Sequence, residues 1–163
     1  MIFDQSLTLS GAIGAASGAV SGQAANGAGN ILSTNTIDQG PLPLGGNQIA
    51  DVGSGEPLTL AVRVLSAPTV GTSVQFQLIQ ADDAALSVNV QVLNQSDAIP
   101  IASLPAGAQV LVPVPRAAPY PAKRYIGARY VNVGAIATAS YFAGLVHDAQ
   151  AASTTFKTGW AVA

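Results

Sequence analysis

The single histidine is the first residue of this sequence to consider for acid–base chemistry. His147 is followed directly by Asp148. A serine–histidine–aspartate site needs a carboxylate that orients the imidazole and a nucleophile within its reach. Neighbouring residues of a strand point to opposite faces, so these two side chains do not form such a dyad. We interpret the pair as a polar strand end.

Two acidic segments offer oxygen atoms to a metal ion. Asp51 and Glu56 lie in a glycine-rich segment, and Asp82-Asp83 form a second pair. Calcium takes about six to eight oxygen ligands, whereas each segment supplies two carboxylates. Turn formation explains these residues better. A hydrolase alternative stays open, because glycoside hydrolysis uses two carboxylates that face each other across a cleft.

The composition argues against several other chemistries. The chain has no cysteine, which removes thiolate zinc sites and thiol nucleophiles. We therefore predict a protein that is not an enzyme, with no catalytic residues, no metal and no cofactor. A net charge of −2 predicts no binding to nucleic acid. The weakly polar run 133–146 is too short for a membrane span, and the N-terminus lacks the basic region of a signal peptide.

Charge is scarce and unevenly distributed along the chain. Charged residues make up 9 % of the sequence, against about 25 % in typical domains. Residues 1–100 carry seven acidic residues and one basic residue, and residues 101–163 carry five basic residues and one acidic residue. We expect these halves to pair within one domain; complementary patches between subunits are the alternative. The low charge favours a surface that another protein partly covers.

Short strands are the elements that must position these residues. Apolar and polar side chains alternate from residue 58 onward, which is typical of half-buried strands. A polar link at 81–85 predicts a hairpin, Pro100 predicts an edge strand, and Gly127 predicts a bulge. Seven or eight such strands predict an all-β antiparallel sandwich or barrel, for which a jelly roll and an immunoglobulin-like sandwich both fit. The predicted strands are 35–39, 58–66, 73–80, 86–93, 99–101, 109–114, 123–133 and 135–146.

The chain divides into three segments by composition. Residues 1–34 are rich in glycine, alanine and serine and predict an extended N-terminal arm with no core of its own, which becomes ordered along a partner. Deletion of residues 2–30 is therefore expected to leave a folded domain. Residues 35–148 form the predicted β-sandwich domain. Residues 149–163 form a tail whose aromatic residues are expected to pack on the domain or on a neighbour.

Tyrosine and arginine alternate in the last third of the chain. Interleaved residues of these two types can bind nucleic acid or glycans, and they are also common anchors of protein interfaces. The negative net charge favours the protein interface. The candidate interface residues are Arg116, Tyr120, Arg124, Tyr125, Arg129, Tyr130, Phe156 and Trp160.

Four short motifs occur in an order that resembles a known family. They are Met-Ile-Phe-Asp at 1–4, Asn-Thr-Ile-Asp-Gln-Gly at 35–40, Asp-Val-Gly-Ser-Gly-Glu-Pro-Leu at 51–58 and Arg-Tyr-Ile-Gly-Ala-Arg-Tyr at 124–130. Over residues 1–148 the chain resembles the capsid cement (decoration) proteins of tailed bacteriophages, of the type first seen in a Bordetella phage. The resemblance implies a jelly-roll-like β sandwich without catalytic residues or a cofactor.

The same resemblance implies a structural role in the virion. A protein of this kind binds the outer surface of an icosahedral capsid and clamps neighbouring major capsid subunits. The expected partners are the major capsid protein and further copies of this chain, as a dimer or trimer, with no nucleic acid and no membrane. The alternative is a carbohydrate- or receptor-binding β-sandwich module of a virion, which predicts exposed aromatic residues in one shallow groove.

Overall fold

A computed structural model describes residues 5–14, 17–40, 57–116 and 121–147. This part of the chain contains thirteen strands and two short 3-10 turns, Gln5–Leu7 and Ile101–Ser103. The strands are β1 (Thr8–Ser10), β2 (Ala12–Ile13), β3 (Val20–Ser21), β4 (Gln23–Ala24), β5 (Gly27–Leu32), β6 (Ile37–Asp38), β7 (Leu58–Thr69), β8 (Ser73–Ala81), β9 (Gln91–Gln95), β10 (Ile99–Pro100), β11 (Gln109–Pro113), β12 (Tyr125–Ile136) and β13 (Thr138–His147). The predicted loop at 51–56 and the tail 149–163 lie outside the described residues.

Two antiparallel sheets form the sandwich. In the first sheet β13 pairs with β7 on one side and with β1 and β4 on the other, and β11 extends the sheet beyond β7. In the second sheet β12 lies between β8 and the short strands β5 and β6, while β9 and β10 share the far side of β8. Strands β2 and β3 pair separately as a small hairpin.

The order of strands is that of a jelly roll. The eleven strands of the two sheets fill eight positions, because β1 with β4, β5 with β6 and β9 with β10 share a flank. Along the chain, the first position pairs with the last, the second with the seventh, the third with the sixth and the fourth with the fifth. This is a long antiparallel hairpin rolled into two sheets. The prediction of an all-β antiparallel sandwich is confirmed, and the topology selects the jelly roll over the immunoglobulin-like alternative.

The alternating residues predicted from the sequence fill the space between the sheets. Leu60, Val62 and Val64 of β7 are fully buried. On β8 the buried positions include Phe76, whose ring meets the ring of Tyr130 edge-on with centroids 5.7 Å apart. Tyr141 completes this aromatic cluster, 5.3 Å from Phe76 and 5.0 Å from Tyr130. These large rings join the two sheets because they come from β8, β12 and β13.

The prediction of a separate N-terminal arm is wrong for the described part of residues 1–34. Strands β1 and β4 pair with β13, and β5 pairs with β12. Leu9 and Ala25 are fully buried in the core. Composition did not reveal this, because backbone pairing requires no large side chains. At Gly22 a Cβ atom would collide with Ser140, so the small residue allows the close approach.

The predicted strand at 86–93 is partly wrong. The hairpin partner β9 begins only at Gln91, and it pairs antiparallel with β8 as expected. Residues 82–90 instead form a loop built around Asp83, whose Oδ1 accepts hydrogen bonds from the backbone N–H groups of Ser87 and Val88, both at 2.8 Å. A side chain that accepts local backbone hydrogen bonds competes with strand pairing.

The bulge predicted at Gly127 is also wrong. β12 keeps a regular register with β8 through this position. Leu86, from the loop 82–90, packs directly over Gly127, where a Cβ atom would overlap its side chain. The glycine therefore makes room for a loop that covers the sheet.

Candidate protein interface

The outer face of the second sheet brings together two of the predicted interface residues. Along β12 the side chains of Ile126, Ala128 and Tyr130 belong to the core between the sheets. Because side chains alternate along a strand, Tyr125 and Arg129 lie on the opposite, outer face. Both are partly buried. Arg124 lies just before β12 and is exposed.

Tyr130 is not an interface residue, contrary to the prediction. Its side chain has no solvent exposure, and its hydroxyl donates a hydrogen bond of 2.6 Å to Ser10 Oγ in the core. Burial raises the pKa of Tyr130 above its ordinary value. The sequence pattern of alternating tyrosine and arginine placed it with Tyr125, but an odd spacing puts the two residues on opposite faces.

Of the remaining predicted residues, Arg116 alone lies in the described ranges. Arg116 is exposed and lies three residues beyond the end of β11. Tyr120, Phe156 and Trp160 lie outside the described residues. At the second sheet, the described part of the candidate interface therefore consists of Arg124, Tyr125 and Arg129.

Arg124 forms a two-pronged ion pair with Asp38. Its Nε and Nη2 atoms donate to the two carboxylate oxygens, both at 2.8 Å. The guanidinium carbon also lies 5.2 Å from the centroid of the Tyr125 ring, a cation–π geometry. The hydrogen bonds from Arg124 and from the Gly40 N–H lower the pKa of Asp38.

A second ion pair joins Lys123 to Asp82, with Nζ 2.8 Å from Oδ1. In both pairs the acidic residue comes from the first hundred residues and the basic residue from the last third. Internal pairing of the two oppositely charged halves is thus confirmed for these residues. Solvent-accessible ion pairs of this kind add little to stability, so their main effect is to neutralise the surface charge.

A network of glutamines surrounds Arg129. Its Nε donates a hydrogen bond of 2.6 Å to Gln77 Oε1. Gln77 Nε2 in turn donates to Gln75 Oε1 at 3.1 Å and to Gln95 Oε1 at 2.8 Å. Partial burial lowers the pKa of Arg129, since desolvation disfavours its charge. The sequence analysis did not identify these glutamines as site residues, although their alternation with apolar residues along β8 could have indicated them.

A small second core lies beside this network. Ile79, Ala81 and Leu86 are buried on the outer face of the sheet. The partly buried residues around them are Leu32, Val90, Val92 and Tyr125. The loop 82–90 closes over this cluster, so the outer face combines an apolar region with a polar region. Such a composition is common at protein interfaces.

Three of the four described acidic residues are engaged in structural roles. Asp38 and Asp82 bind basic side chains, and Asp83 accepts backbone hydrogen bonds. These contacts lower the pKa of all three carboxylates, with hydrogen bonding as the largest cause. Within the described ranges, no three acidic or histidine side chains are grouped to hold a metal ion. The candidate ligands at Asp51 and Glu56 lie outside those ranges.

His147 is exposed at the end of β13, as the interpretation of a polar strand end expects. No helix among the described residues is long and apolar enough to cross a membrane.

Comparison with known proteins identifies the family of this chain. No curated protein matches the sequence. The model of the family named Bbp16 matches residues 19–146, which include nearly all of the strands described above. This match begins within the segment that the sequence analysis treated as an arm and ends within β13. The chain therefore belongs to the Bbp16 family, a family of Bordetella phage proteins.

Proposed function

We propose that the protein is a capsid cement protein. It binds the outer surface of an icosahedral phage head, as a small homo-oligomer, and clamps neighbouring major capsid subunits. The observation that carries the proposal is the joining of two segments on which the resemblance to cement proteins rests. The segment 35–40 supplies β6, which pairs with the start of β12 in the segment 124–130, and Asp38 binds Arg124 across this pair.

The character of the surface supports this role. The two described ion pairs neutralise four charged side chains, and the outer face of the second sheet carries glutamine and aliphatic side chains. Burial of neutral groups against a capsid requires less desolvation than burial of unpaired charges. Oligomerisation adds avidity, so that several modest contacts give stable attachment.

The carbohydrate-binding alternative receives no support from the described aromatic residues. Phe76, Tyr130 and Tyr141 are buried in the core, and Phe142 is also buried. Tyr125 is partly exposed, but it packs against the second core and beneath Arg124. A glycan groove is expected to present several exposed rings, which this part of the chain does not assemble.

A hydrolytic role is also disfavoured by the described carboxylates. A general acid in glycoside hydrolysis has a raised pKa, whereas the pKa values of Asp38, Asp82 and Asp83 are lowered. Each of these carboxylates is already bound to a cation or to a loop backbone. The proposed function accordingly includes no catalytic step.

Co-sedimentation with phage capsids tests the proposal. The purified chain is mixed with unexpanded and with expanded shells, and mass photometry measures its oligomeric state. We expect a defined small oligomer that pellets with expanded shells at saturable stoichiometry. A monomer that pellets with neither shell would contradict the proposal, and a carbohydrate array would then be the next experiment.

A further inference from the structure

We propose that Arg129 is a carboxylate-binding residue, whose terminal guanidinium nitrogens bind an acidic side chain of the major capsid protein. The identity of this partner rests on the proposed function. The binding chemistry rests on the hydrogen-bond network, the burial and the charges around Arg129, which are independent of it.

Among the described contacts, the Arg129 guanidinium takes part in the network only through its Nε atom. Nε donates to Gln77 Oε1, and none of the described residues accepts a hydrogen bond from Nη1 or Nη2. Gln77 fixes the orientation of this contact, because its Nε2 already donates to two other glutamine oxygens. Within the described part of the chain, the guanidinium is therefore held in place while its terminal N–H groups remain available. A planar guanidinium with two such nitrogens matches the geometry of a carboxylate.

One branch of this hydrogen-bond network ends at a backbone carbonyl group. Gln75 Nε2 donates to the Ser96 carbonyl oxygen at 3.0 Å. Hydrogen bonds thus run from Arg129 through Gln77 and Gln75 to a main-chain acceptor between β9 and β10. Each amide is fixed by the next, so Arg129 needs little reorganisation before it binds. Such preorganisation lowers the entropic cost of binding.

Arg129 is a partly buried cation with no described counter-ion. In the register of the sheet it lies between Leu32 of β5 and Gln77 of β8, close to the second core that Ile79 helps to form. The two ion pairs of the described chain involve Lys123 and Arg124 instead. A partly desolvated charge without a counter-ion is unfavourable, and a carboxylate from a docking protein would compensate it.

The charge pattern favours a protein carboxylate over a nucleic acid. Binding to a phosphate backbone requires several basic side chains along one surface. The nearest basic residues in sequence, Lys123 and Arg124, are already paired with Asp82 and Asp38. Among the described residues on this face, Arg129 is the one guanidinium without an ion pair, which suits one acidic side chain.

The same pattern favours another protein over a second copy of this chain. The described ranges contain four carboxylates, Asp38, Asp82, Asp83 and Asp97. The first three are engaged with basic side chains or with loop N–H groups. A second copy therefore offers few unengaged carboxylates on its described surface.

Substitution of Arg129 tests the inference by co-sedimentation with expanded capsids. Arg129→Gln removes the charge and keeps a polar side chain, and Arg129→Lys keeps the charge but not the two-nitrogen fork. Arg63→Gln is the matched control, because Arg63 is exposed on β7 of the opposite sheet. We expect binding about tenfold weaker for Arg129→Gln, an intermediate loss for Arg129→Lys, and wild-type binding for Arg63→Gln. Thermal unfolding confirms that each variant is folded.

Chemical modification of the capsid tests the class of the partner group. Amidation of capsid carboxylates with a carbodiimide and glycinamide should weaken binding of the wild-type chain and leave that of Arg129→Gln unchanged. Equal binding by wild type and Arg129→Gln would overturn the inference while the proposed function stands. A change in oligomer size without a change in capsid binding would also overturn it, by assigning the carboxylate to a second copy. Failure of the wild-type chain itself to bind would instead contradict the proposed function.

Discussion

At the scale of single residues, two buried tyrosines have different hydroxyl environments. The Tyr130 hydroxyl donates to Ser10 Oγ, whereas the Tyr141 hydroxyl has no hydrogen-bond partner among the described residues. Both rings pack in the same aromatic cluster. Substitutions at these two tyrosines can therefore separate the effect of a buried hydrogen bond from the effect of ring packing.

We expect Tyr130→Phe to lower the free energy of unfolding by about 1–2 kcal/mol, since it leaves the buried Ser10 hydroxyl without its partner. Tyr141→Phe keeps the ring and removes a buried hydroxyl without a described partner, so it should be neutral or stabilising. Urea denaturation measures both. Equal destabilisation by the two substitutions would contradict the assigned hydrogen bond.

At the scale of elements, the loop 82–90 determines the shape of the outer face. Asp83 holds its backbone, with Oδ2 accepting a further hydrogen bond of 2.7 Å from Ser87 Oγ. This loop places Leu86 over Gly127 and completes the second core beside Arg129. The carboxylate of Asp83 thus supports the candidate interface without belonging to it.

The pKa of Asp83 gives this loop a pH dependence. Hydrogen bonds from Val88 N–H and the Ser87 side chain lower that pKa below its ordinary value of 3.8. The contribution of Asp83 to stability is therefore present above pH 3.8 and is lost as the pH falls through the lowered value. We expect Asp83→Asn, which keeps the acceptor Oδ1, to lose less stability than the wild type on acidification. Thermal unfolding from neutral pH to about pH 3 measures this difference.

Asp83→Ala is the control for the loop geometry, because it removes every acceptor of the side chain. It should lower the unfolding temperature at neutral pH, where Asp83→Asn should have a smaller effect. If Asp83→Asn showed the same acid response as the wild type, the pH dependence would have to come from other carboxylates.

At the scale of the whole molecule, the first thirty residues complete the jelly roll. They supply one flank of β13 and one flank of β12, and they add Leu9 to the core. Removal of residues 2–30 would leave one edge of β13, and most of one edge of β12, without a pairing strand. The structure therefore predicts loss of the fold, where the sequence analysis expected a folded domain.

Two point substitutions test the contribution of the N-terminal residues to stability with less disruption than a deletion. Leu9→Ala should lower the free energy of unfolding by about 2–4 kcal/mol, because Leu9 is fully buried between the sheets. Ile13→Ala is matched in type and lies nearby in the small β2–β3 hairpin, where it is only partly buried. Ile13→Ala should lower the free energy of unfolding by a clearly smaller amount than Leu9→Ala. Similar small effects of both substitutions would indicate that β1 contributes little to the core.

The alternation of apolar residues by itself determined much of the fold. It predicted β7 and β8 closely and the hairpin of β8 with β9, and the position of Pro100 predicted an edge strand. The strand predictions hold because a strand that is buried on one face must repeat its apolar residues with a period of two. The order of the four short motifs likewise indicated a Bordetella-phage-type family, which the family match over residues 19–146 supports.

The tertiary structure alone decided three further features. It showed that the small-residue segment pairs with β12 and β13, that Tyr130 faces the core, and that glutamines hold Arg129. Both faces of β12 carry apolar residues, so the sequence did not reveal which face was buried. Pairing between distant strands uses backbone groups that nearly every residue possesses. Side-chain patterns therefore carry little information about such pairing, and only the folded chain shows which strands meet.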